Sequence, residues 1–82
     1  MIVLSSKVTV YSKPDCVNCV LTKNWLEGND TDFESIDIFE SEEAMNYVSQ
    51  DLGFMGVPVT VIEGQEPFNG FRPDLLEKYL SE

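Results

Sequence analysis

Lys7-Val8-Thr9-Val10-Tyr11-Ser12-Lys13-Pro14-Asp15-Cys16-Val17-Asn18-Cys19 decides how this chain folds. Lys7 to Tyr11 is rich in β-branched and aromatic residues and reads as a strand. Ser12-Lys13-Pro14-Asp15 stops it, because proline and a short polar side chain favour a turn and a helix start. A helix then runs from about Cys16 to Glu27 and ends at Gly28-Asn29.

The remainder continues the pattern. Asp32 to Phe39, with Phe33, Ile36 and Ile38, reads as a second strand. Ser41 is placed to cap a second helix, with Glu42 and Glu43 in the first turn, where the helix dipole favours acids. Ala44, Val48 and Leu52 give that helix an apolar stripe widened by Met45, and Gly53 can close it. Val57-Pro58-Val59-Thr60-Val61-Ile62 is a strand entered through proline, Glu63 to Glu66 a turn, and Pro67-Phe68-Asn69 a short return strand. Pro73 suits a first helical position, and Leu75, Leu76, Tyr79 and Leu80 line one face of a last helix. Trp25 reads as core or near-core packing. The order is β-α-β-α-β-β-α. A βαβ unit demands a parallel right-handed crossover and a short hairpin demands antiparallel pairing, so the expected fold class is α/β: a four-stranded mixed sheet flanked by three helices, one domain over residues 1–82.

Composition removes whole classes of function. The 82 residues hold 15 acids, 5 bases and no histidine, for a net charge of -10. Without imidazole there is no Ser-His or Cys-His pair and no mixed Cys/His zinc site. The negative charge opposes phosphate-directed binding of nucleic acid. Met1 to Lys7 has no basic n-region and no long apolar segment, so no secretory signal is expected. No apolar run approaches the roughly 18–20 residues needed to span a bilayer. The expectation is a soluble, cytoplasmic protein, monomeric by default, with no membrane partner.

Cys16 and Cys19 carry the chemistry. As a structural staple the pair would be inefficient, since a loop so short removes little unfolded-chain entropy. A helix starting near Cys16 sets its sulfur beside unpaired backbone N–H groups, which favour the nucleophilic thiolate; such cysteines have pKa values lowered from ~8.5 into roughly the 3.5–7.5 range. Positions i and i+3 of a helix have Cα atoms roughly 5–5.5 Å apart, within disulfide reach. Cys16 could therefore attack a substrate disulfide and Cys19 resolve the mixed disulfide. In a reducing cytosol a Cys-x-x-Cys beside a βαβ pattern is a thioredoxin-like redox motif. Three alternatives stay open: a structural disulfide, coincidental cysteines, and a metal site. The last needs four ligands, so two thiolates could form it only between chains.

Val57-Pro58 has two readings. Proline at a strand start is common. A cis peptide there would instead present backbone N–H and C=O groups to an extended substrate, although only about 5–6% of X–Pro bonds in folded proteins are cis.

Tyr11 to Cys19, Gly56-Val57-Pro58-Val59 and Gly70-Phe71-Arg72-Pro73-Asp74 together resemble the NrdH-type redoxins, glutaredoxin-sized members of the thioredoxin superfamily. The resemblance covers nearly the whole chain. It implies a thioredoxin fold, with Cys16 as exposed nucleophile, Cys19 as resolving cysteine and a cis peptide before Pro58. It also implies no bound cofactor beyond the redox-active Cys16–Cys19 disulfide. Electrons would come from NADPH through thioredoxin reductase and pass to the cysteine-bearing tail of a class Ib ribonucleotide reductase large subunit. By the same match Phe71 and Arg72 flank Cys16. Gly56 stands where glutaredoxins commonly carry the threonine of a Thr-Val-Pro glutathione clamp, and Phe71-Arg72 replaces the polar pair that grips glutathione. A thioredoxin-like reduction route is therefore expected, with a glutathione-dependent glutaredoxin as the alternative. The family's Trp-Ser before Gly-Phe-Arg-Pro is Phe68-Asn69 here.

Charge is unevenly spread. No Lys or Arg occurs from Asn24 to Phe71, whereas Lys7, Lys13 and Lys23 surround the first strand and helix. Lys13, with Arg72 brought near by the fold, would support the Cys16 thiolate and an acidic client tail. The plainer alternative is a solvated acidic surface that aids solubility.

Overall fold

In the computed structural model, which describes residues 7–80, strand β1 (Val8–Ser12) fully buries Val8, Val10 and Ser12 and half-buries Thr9 and Tyr11. A strand alternates its side chains between two faces, so this pattern means that both faces are covered. The N-terminal stretch read for a targeting signal lies, apart from Lys7, outside the described residues.

The other elements follow the expected order: α1 (Val17–Gly28), β2 (Glu34–Asp37), α2 (Glu42–Asn46), a π-helical turn (Tyr47–Asp51), β3 (Val59–Ile62), β4 (Phe68–Asn69) and α3 (Pro73–Leu80). The sheet order is β2-β1-β3-β4. β2 pairs parallel to β1, with Tyr11 opposite Ile36, because α1 carries the chain back before β2 begins. β3 runs antiparallel to β1, with Val10 opposite Thr60, and β4 antiparallel to β3. Between them the chain reverses through Ile62–Gln65, closed by the Gln65 amide on the Ile62 carbonyl at 2.9 Å. Gly64 has φ +84° at the third position of that turn, where a positive φ favours glycine.

Two apolar layers sandwich the sheet. On one face Val8, Val10, Ile62 and Phe68 pack with Leu26 of α1 and Leu76 of α3, and Trp25 joins them half-buried. On the other Val59 packs with Ile38, Ala44 and Val48. Leu26 and Leu76 are fully enclosed, and such burial contributes roughly 1.5–3 kcal/mol for each side chain.

Several strand and helix boundaries shift from the sequence expectation, three of them for a clear local reason. β2 ends at Asp37, whose side-chain oxygen accepts the Phe39 amide at 2.8 Å and turns the chain. β3 begins at Val59, since Pro58 has no N–H to offer a ladder. The second helix starts as read, with Ser41 Oγ accepting the Ala44 amide at 3.1 Å. Its end widens: the Leu52 amide reaches back five residues to the Tyr47 carbonyl at 2.9 Å, and Gly53 follows at φ +76°. Among the described residues no helix is long and apolar enough to cross a membrane.

Candidate active site

The end of β1, the start of α1 and the entry to β3 meet at one end of the sheet. Asp15 holds φ +59°, a conformation that a short polar side chain tolerates, and Cys16 follows in extended backbone as the N-cap of α1. Its carbonyl accepts the first helical bond, from the Val20 amide at 3.1 Å, and its Sγ accepts the Cys19 amide at 3.2 Å. The sulfur therefore occupies the place that a capping oxygen fills in other helices. Cys16 and Cys19 are joined as a disulfide, with Cα atoms 5.2 Å apart. Their surroundings differ: Cys16 is half-buried, Cys19 only 1% exposed.

The second side of the site is the Gly56–Pro58 turn. The Val57–Pro58 bond is cis, as the family resemblance implies, and Pro58 is buried. The Val57 carbonyl oxygen lies 3.8 Å from Cys16 Sγ. A hydrogen-bonded brace holds this turn: Asn69 Nδ2 donates to the Gly56 carbonyl at 2.6 Å and approaches the Pro58 carbonyl at 3.4 Å. The Gly70 amide donates to the Pro58 carbonyl at 2.7 Å. Sequence reading noted Asn69 only as a departure from Trp-Ser. An amide side chain reaches further than a serine hydroxyl, but nothing in the neighbouring sequence shows what it reaches.

Electrostatics around the sulfur rest on the backbone. Lys13 is exposed in the turn before Cys16. Arg72 is engaged elsewhere, donating through Nε and a terminal nitrogen to both Asp74 carboxylate oxygens at 3.1 and 2.9 Å. That pairing holds the Asp74 carboxyl below its ordinary range and raises Arg72. Phe71 packs half-buried against the Leu26–Leu76 layer. Among the described side-chain hydrogen bonds, neither Phe71 nor Arg72 reaches Cys16. Val17, next to Cys16, is 73% exposed, and Met55, next to Gly56, fully so. Among the described residues no three Cys, Asp or Glu side chains stand together in metal-binding geometry.

The glutaredoxin family profile matches residues 8–66. The glutaredoxin-like protein NrdH of Lactococcus lactis (strain IL1403) is 39% identical over 71 residues, which span 87% of this chain and 96% of that protein. This chain belongs to the glutaredoxin family, in its NrdH group. The redoxin is also 36% identical over 77 residues to the Gene 56 protein of Mycobacterium phage L5, covering 94% of this chain and 75% of that one. Among solved structures the NrdH-redoxin of Escherichia coli superposes with a TM-score of 0.80 at 34% identity, covering 87% of this chain and 91% of that one. The fold, the family and the joined pair of cysteines make this a dithiol redox protein.

Proposed function

We propose that this redoxin is a dithiol-disulfide oxidoreductase that carries two electrons at a time, with Cys16 attacking and Cys19 resolving. In the reduced form the Cys16 thiolate attacks one sulfur of a client disulfide. An S–S bond to the client forms, the client's own S–S bond breaks, and one client thiolate leaves. Cys19 then gives up its proton and attacks Cys16 Sγ. The mixed disulfide breaks, the second client thiolate leaves, and the Cys16–Cys19 disulfide remains; the two client thiolates take up protons. The carrying observation is the inequality of the two sulfurs: one is open at a helix N-cap with a backbone amide on it, the other enclosed one turn along.

The turn at Val57-Pro58 supports substrate binding. The Val57 backbone stands outside the β3 ladder beside Cys16 Sγ, where an extended client segment can pair with it. Lys13, Phe71 and Arg72 complete the proposed client-facing set, with Lys13 the cation free of a described ion pair. The client is proposed to be the cysteine-bearing tail of a class Ib ribonucleotide reductase, in the cytoplasm. Electrons would arrive from NADPH through thioredoxin reductase. The E. coli relative is described as a glutaredoxin-like protein with a thioredoxin-like activity profile, and Gly56 in place of a clamp threonine favours the same route here.

The test is NADPH oxidation by thioredoxin reductase with this redoxin and a disulfide client. Steady turnover that disappears in Cys16→Ser is the expected result. Turnover with glutathione and glutathione reductase alone would transfer the protein to the glutathione-dependent reading. Coloured, dimeric protein that loses a metal or cluster on thiol oxidation would instead favour a metal site between chains.

A further inference from the structure

A groove of about 490 Å³ opens beside α2. Tyr11 and Ile36 of the sheet and Tyr47 of the π turn line it, with Glu43 and Asp51 among its polar residues. The two tyrosine rings lie 5.6 Å apart with their planes tilted by 49°. Burial raises the Tyr11 phenol above its ordinary pKa, and Tyr47 and Glu34 add to the shift, so Tyr11 stays a neutral ring with a donor. None of Cys16, Cys19, Val57 or Pro58 lines this groove.

Its two charged lining residues, Glu43 and Asp51, are both acidic. Glu34, Asp37, Glu40, Glu42, Glu43 and Asp51 belong to the strand, helix and turn that build the groove or to the loop between them, and no Lys or Arg occurs from Asn24 to Phe71. The ion pair of Arg72 with Asp74 lies in another part of the chain and uses neither Glu43 nor Asp51. A π turn at Tyr47–Asp51 sits in the wall itself, and such turns within helices frequently accompany function.

We propose that this groove docks an arginine-bearing peptide segment of a protein partner. A guanidinium is planar, stacks on aromatic faces and pairs two-pronged with carboxylates. Two tilted rings flanked by Glu43 and Asp51 offer both kinds of contact. A lysine ammonium satisfies the charge but not the planar stacking. A second copy of this chain is a poor occupant, since both copies carry -10 charge. Docking here leaves the cysteine pair free, so a partner can be held by the groove while a disulfide is exchanged at the other site.

The experiment is an amide NMR titration of the oxidised full chain with acetyl-Gly-Arg-Gly-Arg-Gly-amide at 0.15 M salt, near physiological ionic strength. The lysine analogue of the peptide is the comparison. Saturable shifts centred on Tyr11 and residues 41–51 are expected, with the lysine peptide weaker. Tyr47→Leu with Glu43→Gln is expected to weaken the arginine peptide about fivefold to thirtyfold. Glu63→Gln with Glu66→Gln, in the remote β3–β4 turn, is expected to leave binding unchanged. Reduction of insulin disulfides by dithiothreitol-reduced protein should be equal in all variants. Shifts spread over every acidic segment, equal binding of the lysine peptide, or no loss in the Tyr47 and Glu43 variant would each overturn the proposal. Neither peptide carries a thiol, so the result is independent of the electron-carrier reading.

Discussion

The first turns of α1 and the segment from β2 through the π turn face each other chemically as opposites. From Val17 to Leu26 the helix holds a single charged residue, Lys23, whereas Glu34 to Asp51 carries six acids and no base. An anionic sulfur is hardest to hold in a protein of -10 charge. The sulfur stands at the start of a helix with no acid from Val17 to Leu26, next to Asp15 on its other side, and the hydrogen bond it accepts comes from the Cys19 amide at 3.2 Å. Backbone dipoles do not titrate, so this part of the sulfur's stabilisation does not change with the charge of the side chains around it. The α2 side is free to gather charge for solubility and for partners.

Breaking the first region should have the largest effect. Cys16→Ser is expected to reduce client disulfides no faster than buffer does, and Cys19→Ser to accumulate a mixed disulfide seen as one client mass added. Residual catalysis in Cys16→Ser would mean that the open sulfur is not the attacking one. The next effect concerns the floor shared by both regions. Thr60, between Val10 and Phe68 on the sheet, is fully buried and its hydroxyl has no hydrogen-bond partner. An unsatisfied buried hydroxyl costs about 1–3 kcal/mol. Thr60→Val, equal in shape, should raise the unfolding free energy in urea by up to that amount. A loss of stability would show that the hydroxyl has a partner in solution.

The same contrast explains what could be read without coordinates. The βαβ start, the Ser41 cap and the Cys16–Cys19 spacing are local or periodic signals, and each is visible in a few neighbouring residues. The resemblance supplied the cis bond at Val57-Pro58, which the residues alone argued against. The brace from Asn69 to Gly56 joins positions 13 apart in sequence, and no periodicity encodes such a reach. Arg72 gives both prongs of its guanidinium to Asp74, two residues on, a pairing that neither the charge pattern nor the resemblance pointed to. The π turn was also hidden, because Ala44, Val48 and Leu52 fit an ordinary helix and only the five-residue Leu52-to-Tyr47 bond distinguishes the two.

Ser41→Ala sharpens the comparison on the α2 side. It leaves the Ala44 amide without its cap and should cost about 1 kcal/mol, read as a Tm lower by about 4–8 °C. Thiol exchange should be unchanged if the two regions are as separate as argued. The smallest effect belongs to Arg72. Asp74 is held below its ordinary pKa by the hydrogen bond from Arg72. A carboxylate lowered in the folded state contributes stability that is present above its unfolded pKa and is lost as pH falls through the folded value. The pair is exposed on both sides, 49% and 63%, so solvent screening keeps this contribution small. Wild type should therefore melt slightly above Arg72→Gln at neutral pH, with the two curves converging in acid below the ordinary carboxylate range. A gap that persists there would mean that Arg72 stabilises the start of α3 through packing. A gap in client turnover but none in melting would support Arg72 as part of the client-facing set.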